Sequence, residues 1–348
     1  MNVPILKMKF HHSPVASAHS KPITDVRSAL AEAIARLERE NVPSAALAAE
    51  LLLMRALGED RAWLYAHPEH ELDAAAREQY FSLIAKRASG VPTQHLTGHQ
   101  EFWGLDFEVT PDVLIPRPET EHVIEVALER LGVGSDADSA RRKEAFRIAD
   151  IGTGSGCIAI ALAHELPNAQ IIATDISAVA LEIASRNAAR HAVTSRIDFV
   201  ECNLADFLLH GSPLTSARGK RITPRSSSGQ AGHPSLPLRA SDSHLLDLIA
   251  SNPPYIGRRE AATLPREVRD HEPDVALFGG ETGTEIYAPL IAQAATLLKP
   301  GGILVLELGH NSAEHVTRLL AAPEWTDVAT MNDLAGIPRV VFAKRTSS

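Results

Sequence analysis

The chain has 348 residues, a length that accommodates roughly two domains of ordinary size. Hydrophobic residues make up 45% and charged residues 22%, which are the proportions of a folded globular protein rather than of a disordered or fibrous one. No apolar run reaches the roughly 18 residues of a transmembrane helix, so we expect no association with a membrane. The formal charge of −9 argues against broad neutralisation of phosphates, so we expect no stable binding of nucleic acid.

The two cysteines and the first residues bear on the compartment. Cys157 and Cys202 provide no disulfide framework and suit a reducing compartment, which favours the cytoplasm. Residues 1–22 contain basic and apolar residues but lack a continuous apolar core followed by a small-residue cleavage site. We expect a disordered leader there, with a targeting segment as the alternative. We also expect a monomer.

Residues 23–90 are predicted to form an N-terminal helical domain. Apolar residues recur there every three or four positions, which is typical of amphipathic helices, as at Val26, Leu30 and Ile34. A second helix repeats the pattern, and a third is predicted over 73–86, before the stop signal Gly-Val-Pro. Acidic side chains outnumber basic ones across these helices. In residues 91–116, a glycine separates two short apolar stretches in "EFWGLDF", which predicts a β-hairpin connector.

Residues 117–345 are predicted to form an α/β domain. From Phe146 onward the candidate strands are "FRIADI", "QIIAT", "IDFVE", "LLDLIAS", "GILVLEL" and "RVVFAK". Helices are predicted between them, at Ile158–Leu166, Ala178–Arg190 and Ile286–Leu298. This alternation favours a mostly parallel sheet with helices on both faces. Residues 211–243 are rich in Ser, Pro, Gly and Arg and have no periodicity, so a disordered insertion is predicted there.

A glycine-rich turn follows the first of these strands. "ADIGTGSGCIAIALA" places Asp150, Gly152, Gly154 and Gly156 between a strand and a helix. Glycines at such a turn let the backbone bend tightly and approach a ligand at the helix N-terminus. The spacing is GxGxG rather than the GxGxxG of dinucleotide-binding proteins, and no Walker lysine follows. By itself, the turn is equally consistent with a tight connection that binds nothing.

Asp175 ends the second strand. Doubly wound folds place a carboxylate there to accept hydrogen bonds from ribose hydroxyls. The alternative is that Asp175 caps the following helix, a role that is also open to Ser177. Together, the glycine turn and this carboxylate favour an adenosine-containing ligand. Because no lysine is present to bind a pyrophosphate, we prefer S-adenosylmethionine, which carries ribose, adenine and amino-acid groups only.

A predicted buried strand ends in Asn252, Pro253, Pro254 and Tyr255. Prolines cannot donate to a sheet ladder, so the strand must stop there, at the edge where open α/β sheets bind ligands. The side-chain carbonyl of Asn252 and the backbone carbonyl of Pro253 can accept both hydrogens of an NH₂ group that receives a methyl group, and can support its developing positive charge. Tyr255 would cover the planar group. No metal or general base is predicted, and the alternative is a plain surface turn.

These stretches together resemble the release factor glutamine methyltransferase family, one of the amino-group methyltransferases with an (N/D/S)-P-P-(Y/F/W) motif. The resemblance covers most of residues 24–343 and includes "RASGVPTQHLTGHQEFWGLDF", "VLIPRPETEHVIEVAL", "DIGTGSGCIAIALA", "SNPPYI", "EPDVALFGGETGTEIY" and "LKPGGILVLELG". The pairing of "IPRPETE" with "NPPY" is its most specific part. It implies a helical-bundle domain that binds release factors, joined by a hairpin to a seven-stranded, Rossmann-like methyltransferase sheet.

The resemblance also implies the reaction and its residues. A methyl group would pass from S-adenosylmethionine to the side-chain amide nitrogen (N5) of the glutamine in the Gly-Gly-Gln motif of bacterial-type peptide chain release factors. The implied substrate contacts are Asn252, Pro253, Pro254, Tyr255 and, on the rim of the site, Arg117. The implied cofactor contacts are Asp150, Gly152, Thr153, Gly154, Ser155, Gly156, Asp175, Asn203, Leu204 and Asn252.

Two of these positions and one neighbour need comment. Asn203 and Leu204 stand where the family commonly has an acidic residue followed by a bulky one near the adenine, which predicts weaker cofactor binding. Arg117 has a purely structural alternative, because its loop begins a helix whose first-turn acidic residues suit the helix dipole. Glu307, near the end of the fifth strand, is interpreted as structural.

The main alternative function is DNA adenine-N6 methylation, because an exocyclic amine poses the same chemical problem and uses the same tetrapeptide. Such an enzyme must flip a base and normally needs a positively charged recognition domain. The predicted N-terminal helices are acidic, which favours a glutamine side chain instead. A non-enzymatic adaptor with the same fold would be expected to have lost the glycines or the Asn-Pro-Pro-Tyr turn.

Overall fold

A computed structural model describes residues 25–133, 140–210, 220–222 and 245–347. The predicted leader, residues 1–22, lies outside these ranges. The chain divides after Ala88 into two compact units. Within the described ranges, no helix has both the length and the apolar character needed to cross a bilayer.

The first unit is a small helical bundle, as expected. Asp25 caps the first helix and forms a capping box with Ser28. The last helix is tied to the second by Tyr80, which is fully buried and donates its hydroxyl hydrogen to the Ala49 carbonyl at 3.2 Å. One helix of six residues was not predicted, since it is too short to show a helical period. The helices are α1 (Val26–Arg39), α2 (Ala45–Leu57), α3 (Arg61–Ala66) and α4 (Ala74–Ala88).

The second unit begins with a short helix and the predicted hairpin. The two hairpin strands pair antiparallel from His99 opposite Glu108 to Phe102 opposite Leu105. Only Trp103 and Gly104 remain for the turn, and both have positive φ, 56° and 69°, as a tight primed turn requires. These elements are α5 (Thr93–Thr97), β1 (His99–Phe102) and β2 (Leu105–Glu108).

Most of the remaining strands of the second unit form one large sheet, with the order β11-β12-β10-β7-β3-β4-β5-β6. Strands β3, β4, β5, β7 and β10 are parallel, whereas β6, β11 and β12 pair antiparallel with their neighbours. The strands are β3 (Arg147–Ile151), β4 (Gln170–Asp175), β5 (Ile197–Glu201), β6 (Lys220–Ile222), β7 (Leu246–Ser251), β8 (Ile256–Gly257), β9 (Phe278–Gly280), β10 (Leu298–Glu307), β11 (Trp325–Asn332) and β12 (Pro338–Arg345).

Helices cover both faces of this sheet. One core cluster contains buried residues of α6, α7 and α8, and a second cluster, on the other side, contains buried residues of α12 and α13. The helices are α6 (Glu121–Arg130), α7 (Cys157–Glu165), α8 (Ala178–Arg190), α9 (Asp206–His210), α10 (Arg266–Arg269), α11 (Asp274–Leu277), α12 (Tyr287–Leu297) and α13 (Ala313–Leu319). The predicted α/β sheet is confirmed, with seven strands besides the short edge strand β6.

Two strands differ from the expectation. Strand β11 was not among the candidate strands because most of its side chains are exposed, and its pairing with β12 shifts register near Asp327, which has φ 53°. Strand β6 adds an eighth strand at the edge beside β5. It falls within the predicted disordered insertion 211–243, so that prediction is wrong for Lys220–Ile222. The rest of the insertion lies outside the described residues.

The strand order explains where the predicted site residues meet. Asp150 of β3 lies opposite Ala173 of β4 on one side and opposite Ala250 of β7 on the other. The chain leaves β3 toward β4 and later returns to β3's other side as β7, which makes this the switch point where open sheets bind ligands. The carboxyl ends of these three strands therefore bring the glycine turn, Asp175 and Asn252 to one crevice.

Candidate active site

The glycine turn adopts a backbone that other residues rarely reach. Gly152, Gly154 and Gly156 have φ of 74°, 53° and 86°. A Cβ added at Gly152 or Gly154 would meet no heavy atom within 4 Å, so at these two positions the turn opens onto free space. At Gly156 it would lie 3.1 Å from the Cβ of Ala184, so the third glycine allows α7 and α8 to pack closely. Tight packing alone would not require the first two glycines.

The carboxylate of Asp150 supports this turn from inside the protein. It is fully buried, and its Oδ2 accepts hydrogen bonds from the Thr153 hydroxyl at 2.6 Å and from the Ala159 amide at 3.1 Å. Burial raises the pKa of Asp150 to about 7 against the effect of these two donors. Ser155 is also buried. The side chains of Asp150, Thr153 and Ser155 thus shape the turn, and direct cofactor contact by them stays a prediction.

The carboxylate of Asp175 also supports the glycine turn. Its Oδ2 accepts from the Gly154 amide and its Oδ1 from the Ser177 amide, each at 2.9 Å. The N-cap of α8 is Ser177, whose hydroxyl oxygen accepts from the Ala180 amide at 3.2 Å. The capping role therefore belongs to Ser177, and the half-buried Asp175 lines a cavity of about 460 Å³. Burial raises its pKa above the usual range.

Asn203 and Leu204 follow β5 and line the same cavity as Asp175. Leu204 has φ 48°, a left-handed conformation that costs energy for a branched side chain. Its carbonyl accepts a hydrogen bond from the hydroxyl of the buried Thr174 at 2.8 Å, which holds the conformation. The turn is thus held in a strained shape at the position predicted to meet the adenine.

The Asn-Pro-Pro-Tyr turn leaves β7 and is supported by a second glycine-rich loop. Strand β8 pairs with β9, and the α-carbons of Gly279 and Gly283 lie directly against the carbonyl groups of Pro254 and Tyr255. An added Cβ at either glycine would collide with those backbone atoms. The ring of Tyr255 rests on Gly309, where an added Cβ would be 3.0 Å from Cδ2. Rigid backbone contacts therefore hold the turn on two sides.

Two cavities meet at this turn. The larger, of about 460 Å³, is lined by Gly152, Gly154, Asp175, Asn203 and Leu204, among others. The smaller, of about 220 Å³, is lined mostly by apolar residues and includes Arg117 and Tyr255. Both cavities share four lining residues: Leu114, Asn252, Pro253 and Ala276. Asn252 and Pro253 therefore stand where the larger cavity meets the smaller one.

Two buried residues behind the turn were missed as site residues by sequence reasoning. The Asn252 amide donates from Nδ2 to the Thr120 hydroxyl oxygen at 3.0 Å. Thr120 in turn donates to Oε2 of Glu307 at 2.6 Å, and Oε1 of Glu307 accepts from the Tyr255 hydroxyl at 3.0 Å. For Glu307, the available signal was a carboxylate at the end of the otherwise apolar "ILVLE", because a charged side chain is costly to bury without a partner.

Arg117 lies on the wall of the smaller cavity and forms an ion pair with Glu272. The Glu272 side chain is almost fully buried, and burial raises its pKa in opposition to the neighbouring guanidinium. The pair joins the loop before α6 to the segment before α11. Of the predicted site residues, the structure therefore places Gly152, Gly154, Asp175, Asn203, Leu204, Arg117 and the Asn-Pro-Pro-Tyr turn around the two cavities.

These features define a class of protein. Four features together define an amino-group methyltransferase with a Rossmann-like fold: a mainly parallel sheet with an antiparallel β12 beside β10, a glycine turn after its first strand, a carboxylate at the end of its second, and an Asn-Pro-Pro-Tyr turn after its fourth parallel strand. Two family models match in agreement with this: "PrmC N-terminal domain" over residues 28–98 and "Methyltransferase domain" over residues 148–214.

Relatives identify the family. The release factor glutamine methyltransferase of Koribacter versatilis is 41% identical over 323 residues, which are 93% of this chain and 99% of the relative. The protein of the same name from Nitratidesulfovibrio vulgaris is 38% identical over 335 residues, 96% of this chain and 98% of the relative. The chain belongs to the release factor glutamine methyltransferase family, and the alternative of a DNA methyltransferase is not favoured.

A solved structure of a glutamine methyltransferase is also similar. The release-factor-specific protein-(glutamine-N5) methyltransferase from Alicyclobacillus acidocaldarius is 26% identical, with a TM-score of 0.34. The match covers 69% of this chain and 100% of that chain.

Proposed function

We propose that this enzyme transfers a methyl group from S-adenosylmethionine to N5 of the glutamine in the Gly-Gly-Gln motif of bacterial-type peptide chain release factors. The observation that carries the proposal is the meeting of two cavities of different size at Asn252 and Pro253. A transferase for two substrates needs such an arrangement, because the donor and acceptor must approach each other while the rest of each molecule is held apart.

The larger cavity suits S-adenosylmethionine. Its volume lies within the roughly 300–1,000 Å³ that is typical of small-molecule sites. The open glycine turn would admit the amino-acid part, Asp175 would accept hydrogen bonds from the ribose hydroxyls, and Asn203 and Leu204 would lie by the adenine. When bound, the sulfonium of this molecule supplies an electrophilic methyl group.

The smaller cavity suits the side chain of a glutamine. Leu114, Ile256, Leu264, Val268 and Leu277 line it, and such residues pack well against the two methylene groups of the substrate side chain. At its inner end, the Asn252 side-chain oxygen and the Pro253 carbonyl would accept the two hydrogens of the substrate amide. An amide nitrogen is a poor nucleophile because its lone pair is delocalised, and acceptors on its hydrogens stabilise the positive charge that develops during transfer.

Tyr255 and Arg117 complete the proposed acceptor site. The Tyr255 ring, half-buried and held against Gly309, would cover one face of the planar amide and exclude water. Arg117 would keep the rim in place through its pair with the buried Glu272. We assign no general base, because the methylated nitrogen can release its extra proton to solvent after transfer.

The test offers purified enzyme and methyl-labelled S-adenosylmethionine to a release factor, to the same factor with the motif glutamine replaced by alanine, and to adenine-containing DNA. We expect label only in the unaltered factor. The Asn252→Ala variant should lose most of its turnover, by at least about 100-fold, while the affinity for S-adenosylmethionine changes less. Label in DNA but not in the release factor would overturn the proposal.

The partner and the place of action belong to the same proposal. The N-terminal domain, residues 23–90, would dock the release factor, and the exposed Tyr65 is a suitable surface position at which to test this. A Tyr65→Ala variant with a raised KM for the release factor and an unchanged kcat would support the docking role. Free, buried Cys157 and Cys202 suit a monomer acting in the cytoplasm, which light scattering and cell fractionation would check.

A further inference from the structure

Thr120 and Glu307 form a buried pair behind the Asn-Pro-Pro-Tyr turn. Each residue is 1% exposed, and neither appears among the residues that line the two cavities. Thr120 comes from the 3₁₀ turn before α6, whereas Glu307 ends β10. Because they do not line either cavity, any influence that they have on the substrates must pass through Asn252 or Tyr255.

The hydrogen bonds of the pair have only one consistent direction when Glu307 is ionised. A carboxylate has no hydrogen to donate, so the single hydroxyl hydrogen of Thr120 must point to Oε2. The Thr120 oxygen can then only accept from Asn252, and the group of Asn252 that faces it must be the NH₂. The Asn252 carbonyl oxygen is thereby turned away from Thr120, toward the cavities that Asn252 lines.

We propose that Glu307 is a positioning residue that acts through the Thr120 hydroxyl to set the direction of the Asn252 amide, so that the site presents an oxygen to a substrate NH₂ group. The inference rests on the proposed function. It deepens that function because an Asn side chain is nearly symmetric in shape and, if flipped, would present its own NH₂. A flipped Asn252 would face the substrate amide with hydrogens against hydrogens.

The second oxygen of Glu307 extends the same control to Tyr255. The Tyr255 hydroxyl donates to Oε1, so one carboxylate orients both side chains that flank the reacting amide. Tyr287 donates its hydroxyl hydrogen to the backbone carbonyl of Glu307 at 2.9 Å and so fixes the strand end itself. The hydroxyls of Thr120 and Tyr255 thus hold the carboxylate, and Tyr287 holds the backbone that carries it, as a positioning residue requires.

The charge of Glu307 responds to its surroundings near neutral pH. Burial raises its pKa to about 7, while the hydroxyls of Thr120 and Tyr255 act in the opposite direction. Glu307 also interacts electrostatically with four other titratable or charged groups: Glu119, Arg339, Tyr287 and Cys157. A protonated Glu307 would donate a hydrogen and no longer compel Thr120 to point toward it, so the direction of the Asn252 amide would be lost at low pH.

The experiment measures kcat and KM for both substrates, from pH 5.5 to 9, in the full-length enzyme with a purified release factor. Thr120→Val keeps the side-chain shape without the hydroxyl and should lower kcat about 10- to 100-fold, with both KM values within about threefold of wild type. Thr120→Ser restores the hydroxyl and should recover kcat to within about threefold. Thr317→Val, at an exposed threonine of α13, is the matched control.

The pH profile of kcat in Glu307→Gln distinguishes a positioning role from a merely structural one. Wild type should lose kcat as the pH falls below about 7 because Glu307 becomes protonated. Glu307→Gln should have a low kcat with that acid limb absent, since its side chain does not titrate. When Glu307→Gln is added to Thr120→Val, kcat should fall further by no more than the factor that Tyr255→Phe alone produces. Both substitutions break the same path to Asn252, so only the contact with Tyr255 remains to be lost.

The outcomes separate this inference from the proposed function. A wild-type enzyme that fails to label the release factor overturns the proposed function, and the inference with it. An active wild type together with a fully active Thr120→Val variant overturns the inference alone. So does an acid limb that persists unchanged in Glu307→Gln. A selective fall in kcat, rescued by Thr120→Ser, supports it.

Discussion

The α-carbon of Gly279 lies against the backbone carbonyl of Pro254, so close that any side chain at residue 279 would collide with that oxygen. The two residues belong to different loops, and the contact keeps the Asn-Pro-Pro-Tyr turn from moving toward β9. The backbone of Gly279 does not have a left-handed φ, so its requirement for glycine is one of space alone. Gly279 and Gly283 of "FGGETG" therefore give the Asn-Pro-Pro-Tyr turn the space it needs.

Replacing Gly279 by alanine should displace the turn. We expect kcat to fall at least about tenfold and the free energy of unfolding to fall by about 1–3 kcal/mol, the usual cost of overpacking. Gly336→Ala is the control, because nothing lies within 4 Å of its added Cβ, although φ is 79°. It should lose about 1 kcal/mol of stability and keep its kcat. Equal kcat values for Gly279→Ala and wild type would contradict the prediction.

Asp175→Asn should weaken the binding of S-adenosylmethionine. Each carboxylate oxygen of Asp175 accepts a backbone hydrogen, from Gly154 and from Ser177, and asparagine has only one such oxygen. One backbone amide would lose its acceptor and the turn would loosen, so we expect the dissociation constant to rise about tenfold, or 1.4 kcal/mol. Isothermal titration calorimetry measures this directly. Asp327→Asn, at an exposed position of β11, controls for the charge, and equal affinities in the two variants would rule out the role.

Arg117→Ala and Glu272→Ala should have matching effects on the release factor. Each removes the ion pair that joins the loop before α6 to the segment before α11, so each should raise the KM for the release factor by a similar factor. Arg117→Ala should also lower the free energy of unfolding, because it leaves the buried Glu272 without its cation. Since Arg117 is partly exposed and solvent weakens the ion pair, we expect a loss of only about 2 kcal/mol. Steady-state kinetics and denaturant titration provide these values.

A rise in KM for Arg117→Ala alone would contradict this interpretation. It would show instead that the guanidinium itself contacts the release factor. Measuring the affinity for S-adenosylmethionine in both variants supplies the control, because Arg117 lines only the smaller cavity.

Glu307→Gln should change how stability depends on pH. The pKa of Glu307 is raised from 4.5 to about 7 by burial, so between these values the folded state holds a proton that the unfolded state releases. Wild type therefore loses stability as the pH rises through this window, and glutamine removes the loss. Relative to wild type, we expect the variant's free energy of unfolding to rise by about 3 kcal/mol between pH 4.5 and pH 8.

Urea unfolding of both proteins at several pH values tests this expectation. Glu314→Gln, at an exposed glutamate of α13, reports what removal of a surface carboxylate does. A difference between Glu307→Gln and wild type that stays constant with pH would show that Glu307 does not take up a proton on folding. The pH profile of kcat would then need another titrating group.

Local patterns predicted most of the second unit. Helix α8 begins and ends at the predicted residues, Ala178 and Arg190, because its apolar period is regular and Ser177 caps it. Strand β11 was missed because a largely exposed strand with an irregular register shows no alternation. In "IPRPETE" the acidic residues attracted attention as first-turn partners of the helix dipole, whereas Thr120 between them is the residue that contacts Asn252.

The sequence by itself determined the elements of the candidate site and their order along the chain: a glycine turn, a carboxylate at the end of the next strand, and Asn252 to Tyr255 at the end of a buried strand. These are local features, since each depends on residues within one strand and its following turn. Only the tertiary structure decided which way the Asn252 amide points. That direction depends on a hydroxyl 132 residues away and on a carboxylate 187 residues from that hydroxyl. Hydrogen bonds between such distant residues exist only once the sheet and α6 have packed together.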